Sequence, residues 1–515
     1  MHLDLPEAYP QPNQINNGQR SKIMPSEMNS HGVYLTKVKP MCIHQPEVSL
    51  FLYDFKQGFG NTETEIREMK KGFYGKMPDP LVQELRQQPT SDDLSNFRPL
   101  LEGEPPCWFF EEGPLEGLYY PTILGDTYGL VISIAIKAEA DSEWHSPETF
   151  AKLRQEIIKC LPDDNQPTLG QTWMLTGHQK GEQITDNEAE KQAQKCYEAF
   201  NNNRSQSDNF NLGWDQARTE NQGKFLGGHL FELSYESKKE HTVVILYPDA
   251  ETAINVGGKI FPHWTQLFHY HHKIIYSYIQ GRKLSSQSKS LFSKMKVVQK
   301  DLEHIVSHGF QQINDIELGL QSQRNIRFKY NDNLHSLIFQ NQTIDANLGN
   351  YRKELKAIEK KAIKNSKEVD LVDLSLLLEF ANLTTDKYKL QIQKDIEFFE
   401  QGLKLLENNL STVNTQIEFN RNQIELVKNE QDRKFQNLVS VGGAVIAAAN
   451  LAAHTGDYTM NCKVLIKPFF DSTFDCNAVK VWWVSPLFFN IYVAIFWSVI
   501  IGSLFCFIKR KHRQT

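Results

Sequence analysis

From Ile392 to Gln431 the chain sets one side chain at alternating steps of four and three: Ile392, Ile396, Phe399, Leu403, Leu406, Leu410, Val413, Ile417, Asn420, Ile424, Val427 and Gln431. A 3.5-residue repeat held over about forty residues demands a helix of roughly 60 Å with one stripe covered by neighbouring helices. Only Asn420 and Gln431 are polar members of the seam. Such residues fix register and oligomer state, and in a symmetric assembly they would face its axis. An intramolecular bundle without an axis satisfies the same pattern. No Gly-Pro signal stops the rod before Phe435–Ala453, where no side chain is charged.

A second uncharged stretch, Val481–Ile508, lies beyond a polar loop. At about 1.5 Å per residue the two stretches reach roughly 28 and 42 Å, against a hydrocarbon core of about 30 Å. Both are therefore read as membrane spans. The first is rich in Gly and Ala and includes Asn437, Ser440, Gly442, Gly443 and Asn450. Small and polar residues of this kind belong against other helices or a water-filled path, and Gly442-Gly443 permits close helix packing. Arg433 and Lys434 precede the first stretch, and Lys509, Arg510, Lys511 and Arg513 follow the second. Two spans with basic flanks put both termini on the cytoplasmic side. The opening MHLDLPEAYPQPNQ has no apolar h-region and does not read as a signal peptide. Cys462 and Cys476 share the loop between the stretches and could form a disulfide in an oxidising compartment.

Upstream, residues 1–106 show little periodicity beyond VSLFLYDF (Val48–Phe55), which reads as a strand. Residues 107–260 alternate strand-like text (Gly129–Ala138, Gln171–Gly177, His229–Tyr235, His241–Pro248) with the helical spacing of SPETFAKLRQEIIKCL and NEAEKQAQKCYEAF. The strands sit too close together for a doubly wound parallel sheet. Residues 261–434 are helical, with breaks expected at FKYNDN (Phe328–Asn333) and KNSKEVD (Lys364–Asp370). Between them Leu337, Asn341, Ile344, Leu348, Tyr351, Leu355, Ile358 and Ala362 repeat the four-three spacing. The fold class is α+β: an N-terminal α/β cytoplasmic domain, a coiled-coil helical stalk, and a two-helix transmembrane hairpin over 435–515 with an exterior loop at 454–480 and a basic tail.

Chemistry-bearing motifs are sparse. The net charge is -6, which gives no reason to expect a nucleic-acid partner. No G-x-S-x-G elbow, H-E-x-x-H helix or Walker loop appears, so no enzyme is expected and no covalent cofactor. FPHWTQLFHYHHK gathers His263, His269, His271 and His272, with His271 on the stripe of Trp264, Leu267 and Phe268. No Cys or carboxylate stands at zinc spacing, so these read as histidines on the surface of a packed helix. Arg282 and Lys283 open a basic run to Lys300 that could hold an anionic ligand, an acidic helix or lipid head groups, or form a solvated face. GEPPCWFFEEGPLEG reads as an exposed loop beside a strand.

Just past the first uncharged stretch stands Tyr458-Thr459-Met460-Asn461. Together with the order of α/β domain, two helices, stalk helix, span, tetrapeptide, span and basic tail, it resembles the CorA-type magnesium channels, whose signature is Tyr-Gly-Met-Asn. Thr459 stands in place of the glycine, and the loop before the second span is longer than is usual in that family. The resemblance implies a homo-oligomer, a pentamer in that family, set in the lipid bilayer with the first spans lining a pore. It would give Asn461 a role in binding hydrated Mg²⁺ at the entrance, with Met460 shaping it. Carbonyl and amide oxygens suit an ion that keeps its water shell. Two other readings stay open: a ligand-triggered membrane effector of the kind associated with prokaryotic defence, and a coiled-coil tether without transport.

Overall fold

The computed structural model describes residues 43–454 apart from 59–60, 88–96, 138–143, 163–165, 179–183, 203–213, 215–221, 235–239, 254–257, 309–312 and 367–368, together with Ile495. Its first strand, β1 (His44–Phe55), alternates faces. Phe51 and Tyr53 enter one apolar cluster, while Val48, Leu50 and Leu52 enter another on the opposite side. A strand buried on both faces belongs in the middle of a sheet with helices above and below. It is flanked by β5 (Thr127–Ile136) and β6 (Gly170–His178), both antiparallel to it. The remaining strands are β2 (Arg98–Pro99), β3 (Trp108–Glu112), β4 (Leu115–Leu124), β7 (Gly223–Phe225), β8 (Gly228–Ser234) and β9 (Glu240–Tyr247). Their order is β2-β4-β5-β1-β6-β9-β8-β7, with β3 pairing β4, and among the described residues the one parallel pair is β6 with β9. The hairpin-like sheet expected from the sequence is therefore present, and β1, from the segment with little periodicity, lies within it.

One face is covered by α1 (Glu63–Tyr74), α2 (Asp79–Gln87), α3 (Glu148–Lys159) and α4 (Asp186–Asn201). Reciprocal caps start two of these helices, Thr62 with Glu65 and Thr185 with Glu188. The aromatic segment Trp108–Glu112, expected as a loop, is strand β3. It turns at Gly113 and pairs with β4, because Trp108 and Phe110 share the face on which Tyr119 offers its ring. Cys196 is buried and Cys107 and Cys160 are half-buried, all as free thiols.

The opposite face carries α5 (Gly258–His308), α6 (Ile313–Ser366), α7 (Ser375–Leu383) and α8 (Leu390–His454). Trp264, Leu267, Phe268, His271, His272 and Ile275 follow a 3.6-residue stripe, and all are buried. The expected break at FKYNDN does not occur: Tyr330 points inward, and its hydroxyl donates to the Phe399 carbonyl at 3.1 Å, so α6 runs on through Asn333. The break at KNSKEVD is present, where α6 ends at Ser366. Every apolar member of the Leu337–Ala362 series is buried. At Gly281 the three long helices meet, since a Cβ there would stand 2.5 Å from Ile392 Cδ1 and 3.4 Å from Leu337 Cδ1.

Two units divide the described residues: the first holds those up to Asp301 and Glu317–Glu407, the second Leu302–Ile316 and those from Asn408 onward. In the first unit the α8 seam is covered, with Ile392, Phe399 and Leu406 buried. In the second, Leu302, Ile316 and Val413 are buried, but Ile424 is 48% and Val427 57% exposed.

The transmembrane hairpin is not supported. Among the described residues no helix is long and apolar enough to cross a membrane. Phe435–Ala453 is the end of α8, and Gln436, Asn437, Ser440 and Asn450 dilute its apolar character. Val481–Ile508, apart from Ile495, and the loop with Cys462 and Cys476 lie outside the described residues.

Candidate functional site

The helix face of the sheet carries an unusual polar group. On β8 Leu230 faces the long helices and Phe231 the side of α1–α4, so Glu232 also faces the long helices. The same parity on β9 puts His241 on the face of Val243 and Ile245, and on β6 puts Thr172 on that of Met174. Pairing of β6 with β9 sets Thr172 opposite His241, while pairing of β8 with β9 sets Glu232 opposite Val243, two residues along. Above them α5 lowers His271 and His272, seven and eight residues past Trp264 on its stripe. Glu232, His241, His271 and His272 are all 3% exposed or less. The expectation of surface histidines is thereby corrected: His269, His271 and His272 are core residues, His271 and His272 because the stripe that buries Trp264 and Phe268 continues through them, and His269 because it flanks that stripe beside buried Thr265.

The contacts form a chain. His241 Nε2 donates to Glu232 Oε1 at 2.9 Å. On the other side of that ring, Thr172 Oγ1 lies 3.1 Å from His241 Nδ1 and 2.8 Å from His272 Nε2. A single arrangement of protons serves all three contacts: His272 Nε2–H donates to Thr172, and Thr172 donates to His241 Nδ1. His271 is stacked between His241, with ring centroids 4.4 Å apart, and Phe380 of α7 at 4.0 Å. Its Nδ1 is buried without a hydrogen-bond partner. Burial, and then His241 and His272, hold the His271 imidazole well below the usual histidine range, so it is neutral. Burial, then Lys273 and His272, do the same for His269. Burial pushes the Tyr351 hydroxyl up, with the Glu232 carboxylate adding to the shift, and that hydroxyl donates to the Leu377 carbonyl at 2.9 Å. Donor atoms of Glu232, His241 and His271 lie within 4.8 Å of one another, a spacing at which they could hold a metal ion.

Gly170 makes room for this arrangement. A Cβ there would sit 2.4 Å from His272 Nδ1 and 2.8 Å from its Cγ, and the ring cannot give way without leaving Thr172. Gly170→Ala should lower stability by about 1–3 kcal/mol. A thermal melt unchanged from wild type would show that His272 has another place to go.

The sequence-derived candidates fall elsewhere. Arg282 is paired with Asp395 of α8, which also accepts from Ser285 Oγ at 2.7 Å, whereas Lys283 is exposed. Asn437, Gly442 and Gly443 lie exposed on α8, and a Cβ on either glycine would meet nothing within 4 Å. Gln431 is exposed, and the side chains of Asn420 and Asn450 lie outside the described residues, as do Tyr458, Thr459, Met460 and Asn461.

The His/Glu cluster was missed because Glu232 and His241 come from text that reads as ordinary strands, while His271 and His272 read as surface histidines of a helix. The available signal was parity: Glu232 and His241 alternate with core residues on the strand face where an apolar side chain belongs.

Compared with known proteins, the chain matches no family model, no curated protein and no solved structure. The fold defines the class: an α+β sheet domain capped by long helices, of which α8 is 65 residues long.

Proposed function

We propose that the chain is the subunit of a homo-oligomeric, membrane-anchored assembly of CorA-like build, in which the first uncharged stretch lines a path for divalent cations. One observation carries this reading. The four-three seam of α8 continues past Val413, but its cover among the described residues does not: Ile424 and Val427 are each more than 45% exposed, as are Phe435, Leu438 and Val439 further along the helix. Contiguous apolar side chains on one helix require a partner. Before the charge cluster Asp432–Lys434 that partner is another copy of α8, since the spacing is that of a supercoiled seam. Beyond the cluster, copies and lipid share the role.

The order of sheet domain, two long helices and a stalk helix ending just before Tyr458 favours the CorA-like reading over an unrelated tether. In this reading both termini are cytoplasmic, the second span packs behind the first, and Asn461 meets hydrated Mg²⁺ at the exterior mouth. Engagement of Arg282 by Asp395 weighs against a nucleotide-triggered effector using that residue.

The test is twofold. Detergent-purified protein should have the mass of a ring, five copies if the likeness extends to stoichiometry. Reconstituted in liposomes, it should pass Mg²⁺ or Co²⁺, and Asn461→Ala should abolish most of that flux. A monomer would overturn the assembly, and a ring without flux would leave only the tether.

A further inference from the structure

We propose that Glu232, His241 and His271 form a buried site for a zinc-class transition-metal ion that ties the sheet to α5. Each ligand comes from a different element, so an ion held by all three joins β8, β9 and α5 at one point. The proposal does not depend on the membrane reading.

Geometry and donor chemistry carry it. Bonds of about 2.0–2.1 Å in a tetrahedral site need donors about 3.4 Å apart. The three donors already lie within 4.8 Å of one another, and an ion would draw them together by side-chain rotation that parts the His241–His271 stack. His271 supplies the second observation. The residue is 3% exposed, and its Nδ1 is buried without a hydrogen-bond partner. A buried nitrogen left in that state is destabilising, and a neutral imidazole is the form that ligates.

The outer contacts suit a ligand. Metal-binding histidines hand their other ring nitrogen to a fixed acceptor. His241 turns Nε2 toward Glu232 and Nδ1 toward Thr172 Oγ1. With an ion on Nε2, His241 carries its proton on Nδ1 and donates to Thr172, which donates onward to His272 Nε2. Without the ion the same bonds run in the reverse direction. Two imidazoles and one carboxylate favour Zn²⁺ and its neighbours over Mg²⁺, which prefers six oxygens. The site is thus distinct from any magnesium path.

Full-length protein stripped with chelator and titrated with Co²⁺ provides the test. One Co²⁺ per chain should bind with the intense visible bands of a low-symmetry, four-coordinate site. Zn²⁺ should bleach them and excess Mg²⁺ should not. Stripping should lower the melting temperature, and Zn²⁺ should restore it. His271→Phe keeps the stack on Phe380 and removes a ligand. It should lose the bands and the zinc-dependent shift, while melting no lower than stripped wild type. Absence of Co²⁺ bands in wild type, or a zinc-dependent shift of equal size in His271→Phe, would overturn the proposal.

Discussion

Lys76→Met should lower the stability of the sheet unit by about 3–5 kcal/mol, among the largest effects expected of any single substitution in it. Lys76 Nζ lies 2.5 Å from Asp54 Oδ2, and their side chains are 1% and 6% exposed. Asp54 stands near the end of β1, where its other oxygen accepts from the Thr168 N–H at 2.9 Å. Methionine fills the volume of the lysine stem but leaves a carboxylate in the core with one hydrogen bond and no counter-charge. Most of the loss is that stranded charge, not the intrinsic strength of the pair. Lys76→Met with Asp54→Leu should therefore recover much of the stability, subject to loss of the Thr168 bond. Denaturant melts of the wild type and the three variants decide it. A double variant as weak as the lysine single would mean that the pair contributes net attraction.

The second large effect separates the two parts of the α8 seam. Phe399 is fully buried, meets Tyr330 edge-on at 5.9 Å, and its carbonyl accepts from the Tyr330 hydroxyl. Phe399→Ala should cost about 3–5 kcal/mol, through lost burial and the cavity beside Tyr330. Val427, on the same stripe, is 57% exposed. Val427→Glu should leave the melting of the isolated fold within about 0.5 kcal/mol of wild type. In the proposed assembly it would place like charges at a seam shared by copies, and the complex should run at a smaller size on gel filtration. If Val427→Glu leaves the particle size unchanged, α8 does not associate through that stripe.

The sequence alone determined much of this protein. Strands β1, β5, β6, β8 and β9, the long helices and the four-three seams were legible because side-chain period follows directly from backbone geometry: two in a strand, 3.6 in a helix; β4 was not. The break at KNSKEVD was legible as well. FKYNDN misled because a polar run signals a turn only when its aromatic is not needed elsewhere, and Tyr330 is held by a carbonyl of α8. Trp108–Glu112 read as a loop because its partner is a neighbouring strand, and pairing leaves little trace in composition.

What the tertiary structure decided is the meeting of distant residues. Glu232 and His241 stand nine positions apart on two strands, and His271 lies on a helix thirty residues further on. No spacing rule for metal ligands unites them. They converge because β8 pairs with β9 in one register and the stripe of α5 lies across that register. Periodicity tells which face each side chain occupies. Only the packing of one face on another decides which side chains touch, because that depends on registers and crossings set by the whole core at once.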